Sequence, residues 1–360
     1  MQRQLEKSYD GIALFSGGLD SILAARVLME QGLNIKCVHF VSPFFGEPNK
    51  LDFWRREYGL DIDPVDIADE YVTMLRNNPA HGVGSVLNPC VDCKILMMRR
   101  AVQLLPVYGA TFLVSGEVLG QRPMSQRRDT LNIIRRDGGV KELLLRPLCA
   151  KHLDPTPMET SGLVDREKLY DFSGRGRKGQ LALAAELGIK KIPTPGGGCL
   201  LTEKENSRSF WPVLKHTKAG AGEFYLALTG RQRWSFDNDK AYWLCVGRDK
   251  NDNAKIQELA DVNDITFKVK DYPGPLALAR QITPWPEHMV KDAAAFAASF
   301  SNKAVAAGGA VKVRVHEGAK GLDGPGYELE VVPSRTTAAN WQEYQWLDAK
   351  SGIKEELHKK

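Results

Sequence analysis

Residues 16–21 read Ser-Gly-Gly-Leu-Asp-Ser, between the apolar run Ile12-Ala13-Leu14-Phe15 and a stretch with helical apolar spacing. Adjacent glycines let a chain turn sharply and bring its backbone against a ligand. A helix that starts at such a turn offers unpaired N–H groups and the positive end of its dipole to an anion, phosphate above all. Ser16 and Ser21 add hydroxyl donors, and Asp20 suits either capping the helix or helping to hold Mg²⁺. The spacing is neither the Gly-x-x-x-x-Gly-Lys loop nor the Gly-x-Gly-x-x-Gly dinucleotide turn. A plain glycine turn capped by Asp20 or Ser21 is the bland alternative.

The second reactive set is sulfur. Cys90 and Cys93 form a C-x-x-C inside Asn-Pro-Cys-Val-Asp-Cys, and Cys199 closes Pro-Gly-Gly-Gly-Cys about a hundred residues on. Six cysteines in 360 residues are too few for a disulfide scaffold. Four chemistries fit three such cysteines. They are buried small hydrophobes, a zinc site completed by Cys149 or His152, a thiolate-held iron–sulfur cluster, or a persulfide and disulfide pair at Cys93 and Cys199. A helix N-terminus beside Cys90 and Cys93 is expected to depress their thiol pKa values. Cys37, Cys149 and Cys245 are expected to be structural. The seven histidines are scattered without a hydrolase pattern.

Positioning these groups calls for an α/β scaffold. Strand patterns at 12–15, 35–41, 62–67 and 111–115 alternate with helix patterns at 21–31, 51–58 and 93–105, which predicts an open, mostly parallel sheet with helices on its faces. After about residue 203 the texture shifts to frequent Trp and Tyr. Strand-like pieces lie at 242–246, 266–270, 311–316 and 327–332, with an Ala-rich helix at 289–300. Two domains are expected, 1–203 and 204–360, the second smaller and α+β. The usage, 43% hydrophobic and 26% charged, is that of a globular chain. No run is long and apolar enough for a membrane span, and residues 1–10 carry no apolar signal core, so a soluble cytoplasmic protein is expected.

Formal charge is +5, and residues 122–151 alone carry that excess. Arg122, Arg127, Arg128, Arg135 and Arg136, with Arg175, Arg177 and Lys178 further on, form a candidate phosphate-contacting set. Surface ion pairing with Asp129 and Asp137 is the competing role.

Phe-Ser-Gly-Gly-Leu-Asp-Ser resembles the PP-loop of the N-type ATP pyrophosphatases. The chain as far as residue 200 is similar to the tRNA 2-thiouridine and 4-thiouridine synthetases of that superfamily. Asn88–Lys94 resembles the cysteine segment of the former, and Ser115-Gly-Glu-Val-Leu-Gly-Gln121 with Ser125-Gln126 a segment of the latter. The resemblance implies an adenine-nucleotide α-hydrolase fold and ATP-dependent sulfur transfer to a tRNA uridine through an adenylated carbonyl, with AMP and pyrophosphate released. It implies ATP and Mg²⁺ on Ser16, Gly17, Gly18, Asp20 and Ser21, with Phe40, Gly116, Glu117 and Gln121 lining the nucleotide or base pocket. It implies Cys90, Cys93 and Cys199 as ligands of a [4Fe–4S] cluster, with zinc the alternative metal, and Cys93, Cys199 and Asp20 as catalytic groups. The partners implied are tRNA and a sulfur donor, a persulfide carrier or sulfide; a homodimer is left open. The loop begins at residue 16, so the adaptor preceding it in 4-thiouridine enzymes is expected to be absent. The competing readings are a PP-loop ligase or sulfur transferase acting on a small molecule, and an ATP-sensing RNA-binding protein.

Overall fold

A computed structural model describes residues 8–194, 198–218 and 220–357. Pro195, Gly196 and Gly197 of the third cysteine motif, and most of the charged N-terminal stretch, lie outside the described residues. The chain divides into two units, Met1–Thr202 and Glu203–Lys359.

The first unit runs β1 (Gly11–Leu14), α1 (Leu19–Met29), β2 (Ile35–Val41), α2 (Leu51–Tyr58), β3 (Asp61–Asp66), α3 (Ala68–Arg76), α4 (Cys90–Tyr108), β4 (Phe112–Ser115), α5 (Arg128–Asp137), β5 (Leu144–Leu145), α6 (Pro157–Thr160) and α7 (Lys178–Glu186). The strands pair in the order β3-β2-β1-β4-β5, all parallel. β1 and β4 are buried at every residue, as central strands covered on both faces must be. Helix α1 buries Ile22, Leu23, Ala24, Ala25, Val27 and Leu28, and shares a core with Ala13, Phe112, Val114 and Leu183. The chain steps outward from β1 to β2 and β3, then crosses back to lay β4 on the other side of β1. The order therefore reverses between β1 and β4. In such sheets a crevice opens there, at the carboxyl ends of the strands. The loops leaving those two ends hold residues 15–18 and 116–121.

The opposite end of the sheet is fastened by a buried charge. Lys36 Nζ sits 2.7 Å from Asp61 and 2.8 Å from Asp63. The Tyr108 hydroxyl donates to Asp63 at 2.8 Å.

The second unit runs α8 (Lys204–His216), α9 (Ala221–Ala227), β6 (Arg231–Asp237), β7 (Lys240–Val246), α10 (Lys250–Leu259), β8 (Ile265–Val269), β9 (Leu276–Arg280), α11 (Glu287–Ala298), α12 (Asn302–Ala306), β10 (Val311–His316), β11 (Gly326–Val331) and α13 (Trp346–Leu357). Its sheet, β11-β10-β8-β9-β7-β6, is antiparallel at every pairing. The Ala-rich α11 packs its buried Met289, Val290, Ala293, Ala294 and Ala297 on Phe267, Val313 and Val331. Among the described residues no helix is long and apolar enough to cross a membrane.

Three elements differ from the expectations. Helix α1 begins two residues earlier than predicted, and α4 begins at Cys90 rather than Cys93, so both cysteines of the C-x-x-C lie in its first turn. Residues 128–137, read only as a basic stretch, form α5, whose apolar stripe of Leu131 and Ile134 is buried.

Candidate nucleotide and thiol site

The turn between β1 and α1 is built around its glycines. Gly17 has φ +78°, and a Cβ there would stand 2.4 Å from the Trp54 ring. Trp54, on α2, packs edge-on against Phe15 and His39 at 5.2 and 5.0 Å between centroids. An aromatic floor therefore holds the loop from below, and only glycine clears it. Gly18 is the extended N-cap of α1. The Ser21 hydroxyl donates to the Gly18 carbonyl at 2.8 Å and lies 3.3 Å from the Ser16 hydroxyl, so both serines are gathered inside the turn. The first N–H groups of a helix have no partner within it and remain available to an anion.

Gly116, just past β4, touches the same turn. A Cβ there would meet the Asp20 carbonyl oxygen at 2.4 Å. This contact brings Gln121 to Asp20, and its Nε2 donates to Asp20 Oδ2 at 3.0 Å. Asp20 Oδ1 and Gln121 Oε1 are buried with no hydrogen bond of normal length, as is Gln180 Nε2, which lies close enough to pull on Asp20. Burial raises the Asp20 carboxyl above its ordinary value, against the pull of Gln121, Arg177 and Arg122. Two orphaned oxygens with two arginines in electrostatic reach are a donor set suited to Mg²⁺ and a polyphosphate.

Phe40 is buried near the carboxyl end of β2. Beside it His39 is neutral. Its Nε2 accepts from the Glu47 N–H at 2.9 Å, which leaves Nδ1–H to donate to the Phe15 carbonyl at 3.0 Å. Burial lowers its pKa accordingly. His39 thus ties the loop after β2 to the end of β1.

Glu117 departs from expectation. It forms a buried ion pair with Arg146 at 2.9 Å, both side chains almost fully enclosed. Burial alone would raise its carboxyl, but Arg146 and Lys94 hold it below the ordinary range. It braces the loop after β4 through one oxygen, while its Oε1 is buried without a hydrogen-bond partner.

The three cysteines gather around one residue. Tyr71, on α3, is buried against Phe44 and Phe45, and burial together with Cys93, Cys199 and Cys90 raises its hydroxyl pKa. Cys199 in turn feels Cys93 and Cys90. Backbone bonds hold the Cys199 segment in place, from the Leu200 N–H to the Phe44 carbonyl at 2.8 Å and from the Leu87 N–H to the Leu201 carbonyl at 3.3 Å. Asn88 Nδ2 lies 3.1 Å from Cys90 Sγ and 3.3 Å from Met124 Sδ, which links the thiols to the loop that carries Gln121.

The acidity of Cys93 is opposite to expectation. Burial pushes the Cys93 thiol up to about 11 and the Cys199 thiol up to about 12. Loss of water around the thiolate outweighs the helix N-terminus. The donor type fits a soft metal or a cluster. Among the described residues no three His, Cys, Asp or Glu groups stand at ligand spacing. Cys37, Cys149 and Cys245 are buried and free, as structural cysteines are. Trp54 and Tyr71 escaped the sequence reading because an isolated aromatic on a helix carries no motif.

Two family models match parts of the chain. Residues 7–57 match the thiamine biosynthesis protein (ThiI) family, and residues 235–324 match the NFACT protein RNA binding domain. A probable tRNA sulfurtransferase of Thermococcus kodakarensis is 24% identical over 51% of this chain and 44% of its own length. One from Ureaplasma parvum serovar 3 is 30% identical over 45% of this chain and 41% of its own. A tRNA sulfurtransferase of Blochmanniella pennsylvanica is 24% identical over 55% and 36%. The chain thus spans less than half the length of these relatives. A crystal structure of a 4-thiouridine synthetase–RNA complex with bound ATP is 23% identical, covers 50% of this chain and 41% of its own, and superposes with a TM-score of 0.34. In sequence, the N-terminal unit is similar to the PP-loop tRNA sulfurtransferases, and the C-terminal unit carries a stretch similar to an RNA-binding domain.

Proposed function

We propose that this chain is an ATP-dependent sulfurtransferase acting on a uridine of tRNA. One observation carries the reading: a glycine turn with orphaned Asp20 and Gln121 oxygens at the switch point of the sheet, linked through Met124 and Asn88 to three clustered thiols. The sulfurtransferase matches and the RNA-binding match support it.

Replacing a carbonyl oxygen by sulfur needs a leaving group on that oxygen. The turn and the start of α1 grip the triphosphate, and Arg122 and Arg177 offset its charge. The uridine carbonyl oxygen attacks the α-phosphorus, and pyrophosphate departs. Asp20 and Gln121 would hold Mg²⁺, which neutralises charge on the phosphate oxygens. A sulfur nucleophile then adds to the adenylated carbon, and AMP leaves with the original oxygen. Cys93 and Cys199, which feel each other's charge, would carry that sulfur as the outer atom of a persulfide on one thiol; the other thiol would then attack the inner sulfur, so that a Cys93–Cys199 disulfide forms as the thiolated base is released. Cys90, Cys93 and Cys199 have the donor chemistry that would hold an iron–sulfur cluster, which when bound would supply a soft site for sulfide. Burial, which favours the protonated thiols, makes metal binding a proton-releasing step.

The test is ATP turnover by the purified full chain with and without an unmodified tRNA transcript. Release of AMP and pyrophosphate that tRNA stimulates, and that Asp20→Ala and Ser21→Ala abolish without altering circular dichroism, is expected. Turnover indifferent to tRNA would assign the site to a small-molecule substrate. AMP binding without pyrophosphate release would make it a sensor.

A further inference from the structure

The second unit holds a cluster of three arginines with a single carboxylate, Glu343, against it. Arg335 lies flat on Phe300, its guanidinium carbon 3.5 Å from the ring centroid, and Arg231 approaches the same ring at 5.0 Å. Arg233 is close enough that, after burial, Arg231 and Arg233 both depress the Arg335 pKa. Only Arg233 has a carboxylate partner among the described residues, Glu343 at 2.6 Å. Arg231 spends one hydrogen bond on the Gly247 carbonyl at 2.8 Å, and Arg335 one on the Ser299 carbonyl at 3.3 Å. Both are therefore oriented by the fold while their charge is left over. Gathering cations costs free energy that a solvated surface would avoid by spreading them.

Beside this cluster opens a shallow cavity of about 400 Å³ lined by Ser299, Asn302, Val305, Ala306, Pro333 and Arg335. Its floor is apolar, and Val305 is 50% exposed. The composition is that of a half-site: an apolar surface next to a planar cation held over an aromatic ring. Single-stranded RNA presents the complement, an unstacked base next to a phosphate. An acidic peptide would match the arginines, but it offers no flat apolar group for the floor.

We propose that Arg231 and Arg335, bracketing Phe300, bind a phosphate of single-stranded RNA while the neighbouring base lies on the Val305–Pro333 floor. This inference rests on the reading that the protein acts on tRNA, and it locates one contact surface on the second unit.

The experiment is fluorescence anisotropy of the full chain with a labelled oligouridylate and, separately, a labelled unmodified tRNA transcript, over a series of KCl concentrations. Arg335→Ala should weaken both and flatten the log K against log salt slope by about 0.7, and Arg231→Ala with Arg335→Ala by about 1.4. Arg335→Lys should recover the salt slope but not the affinity, since it restores charge without the planar stack. Val305→Asp, which leaves the arginines untouched, should weaken oligouridylate binding. Unchanged near-ultraviolet circular dichroism in each variant keeps the comparison free of unfolding. Wild-type binding with variants of unchanged affinity and slope overturns this inference alone. Failure of the wild type to bind either RNA overturns the tRNA reading and this site with it. Tight binding of polyglutamate in place of RNA overturns the site's assignment while leaving the charge cluster as its cause.

Discussion

Gly17 concentrates the physical case at the residue scale. Its left-handed φ and the Trp54 ring 2.4 Å from any Cβ leave no room for a side chain. Gly17→Ala should cost about 1–3 kcal/mol in urea unfolding and abolish ATP binding by calorimetry, since relief requires the loop to lift off its floor. The thiols give a second prediction. In metal-free protein, native alkylation at Cys93 and Cys199, followed by peptide mass mapping, should be slow at neutral pH and accelerate toward their raised values of about 11 and 12. Cys93 and Cys199 are only partly enclosed, so fast modification at neutral pH would contradict the raised pKa values. The glycine turn before α1 and the C-x-x-C were legible in the sequence because their residue types are adjacent along the chain. Tyr71 and Trp54 were not, because each acts through neighbours from distant segments, and a lone aromatic reads as core. The expected thiol acidity failed for a related reason: the helix terminus is visible in sequence, whereas the burial that overrides it is tertiary.

At the scale of elements, the site depends on how the loops after β1, β4 and β5 are held together. Glu117, after β4, and Arg146, after β5, form the buried brace. Because the folded Glu117 pKa is depressed, the pair stabilises the protein above the ordinary carboxyl value of 4.5 and loses that contribution as pH falls through the folded value. Glu117→Gln should therefore cost on the order of 3 kcal/mol in urea unfolding at neutral pH, where it strands Arg146. The difference from wild type should shrink progressively below pH 4.5. An equal penalty in acid would show that the loss is one of shape and not of charge. Strands β1, β2 and β4 were legible because buried parallel strands are short apolar runs. Strand β9, Leu-Ala-Leu-Ala-Arg, was not, since it is built from helix-forming residues that its place between β8 and β7 overrides. Helix α5 was hidden by its charge: its arginines drew the reading toward a partner, while its buried stripe is only a few residues wide.

On the whole-molecule scale, the chain joins a parallel-sheet unit bearing the nucleotide turn to an antiparallel unit bearing the arginine-bracketed ring. The basic set read from the sequence is now divided. Arg127 and Arg136 pair with Asp129 and Asp137. Arg122 and Arg177 face Asp20 at the glycine turn, which leaves Arg128, Arg135, Arg175 and Lys178 of the set. If those four meet phosphates, the log K against log salt slope for tRNA should carry a contribution of about −3 to −4, and Arg127→Ala should leave it unchanged. A slope near zero would return the whole set to a solvated surface. The central claim, that a carbonyl oxygen of tRNA is adenylated at the first turn and exchanged for sulfur, is tested most directly by mass analysis of nucleosides. Unmodified tRNA would be incubated with the full chain, ATP, Mg²⁺ and a sulfide or persulfide donor, then digested. A thiolated uridine that requires ATP and disappears in Asp20→Ala is the predicted result. An unchanged nucleoside profile while the same protein converts ATP to AMP and pyrophosphate would contradict the account.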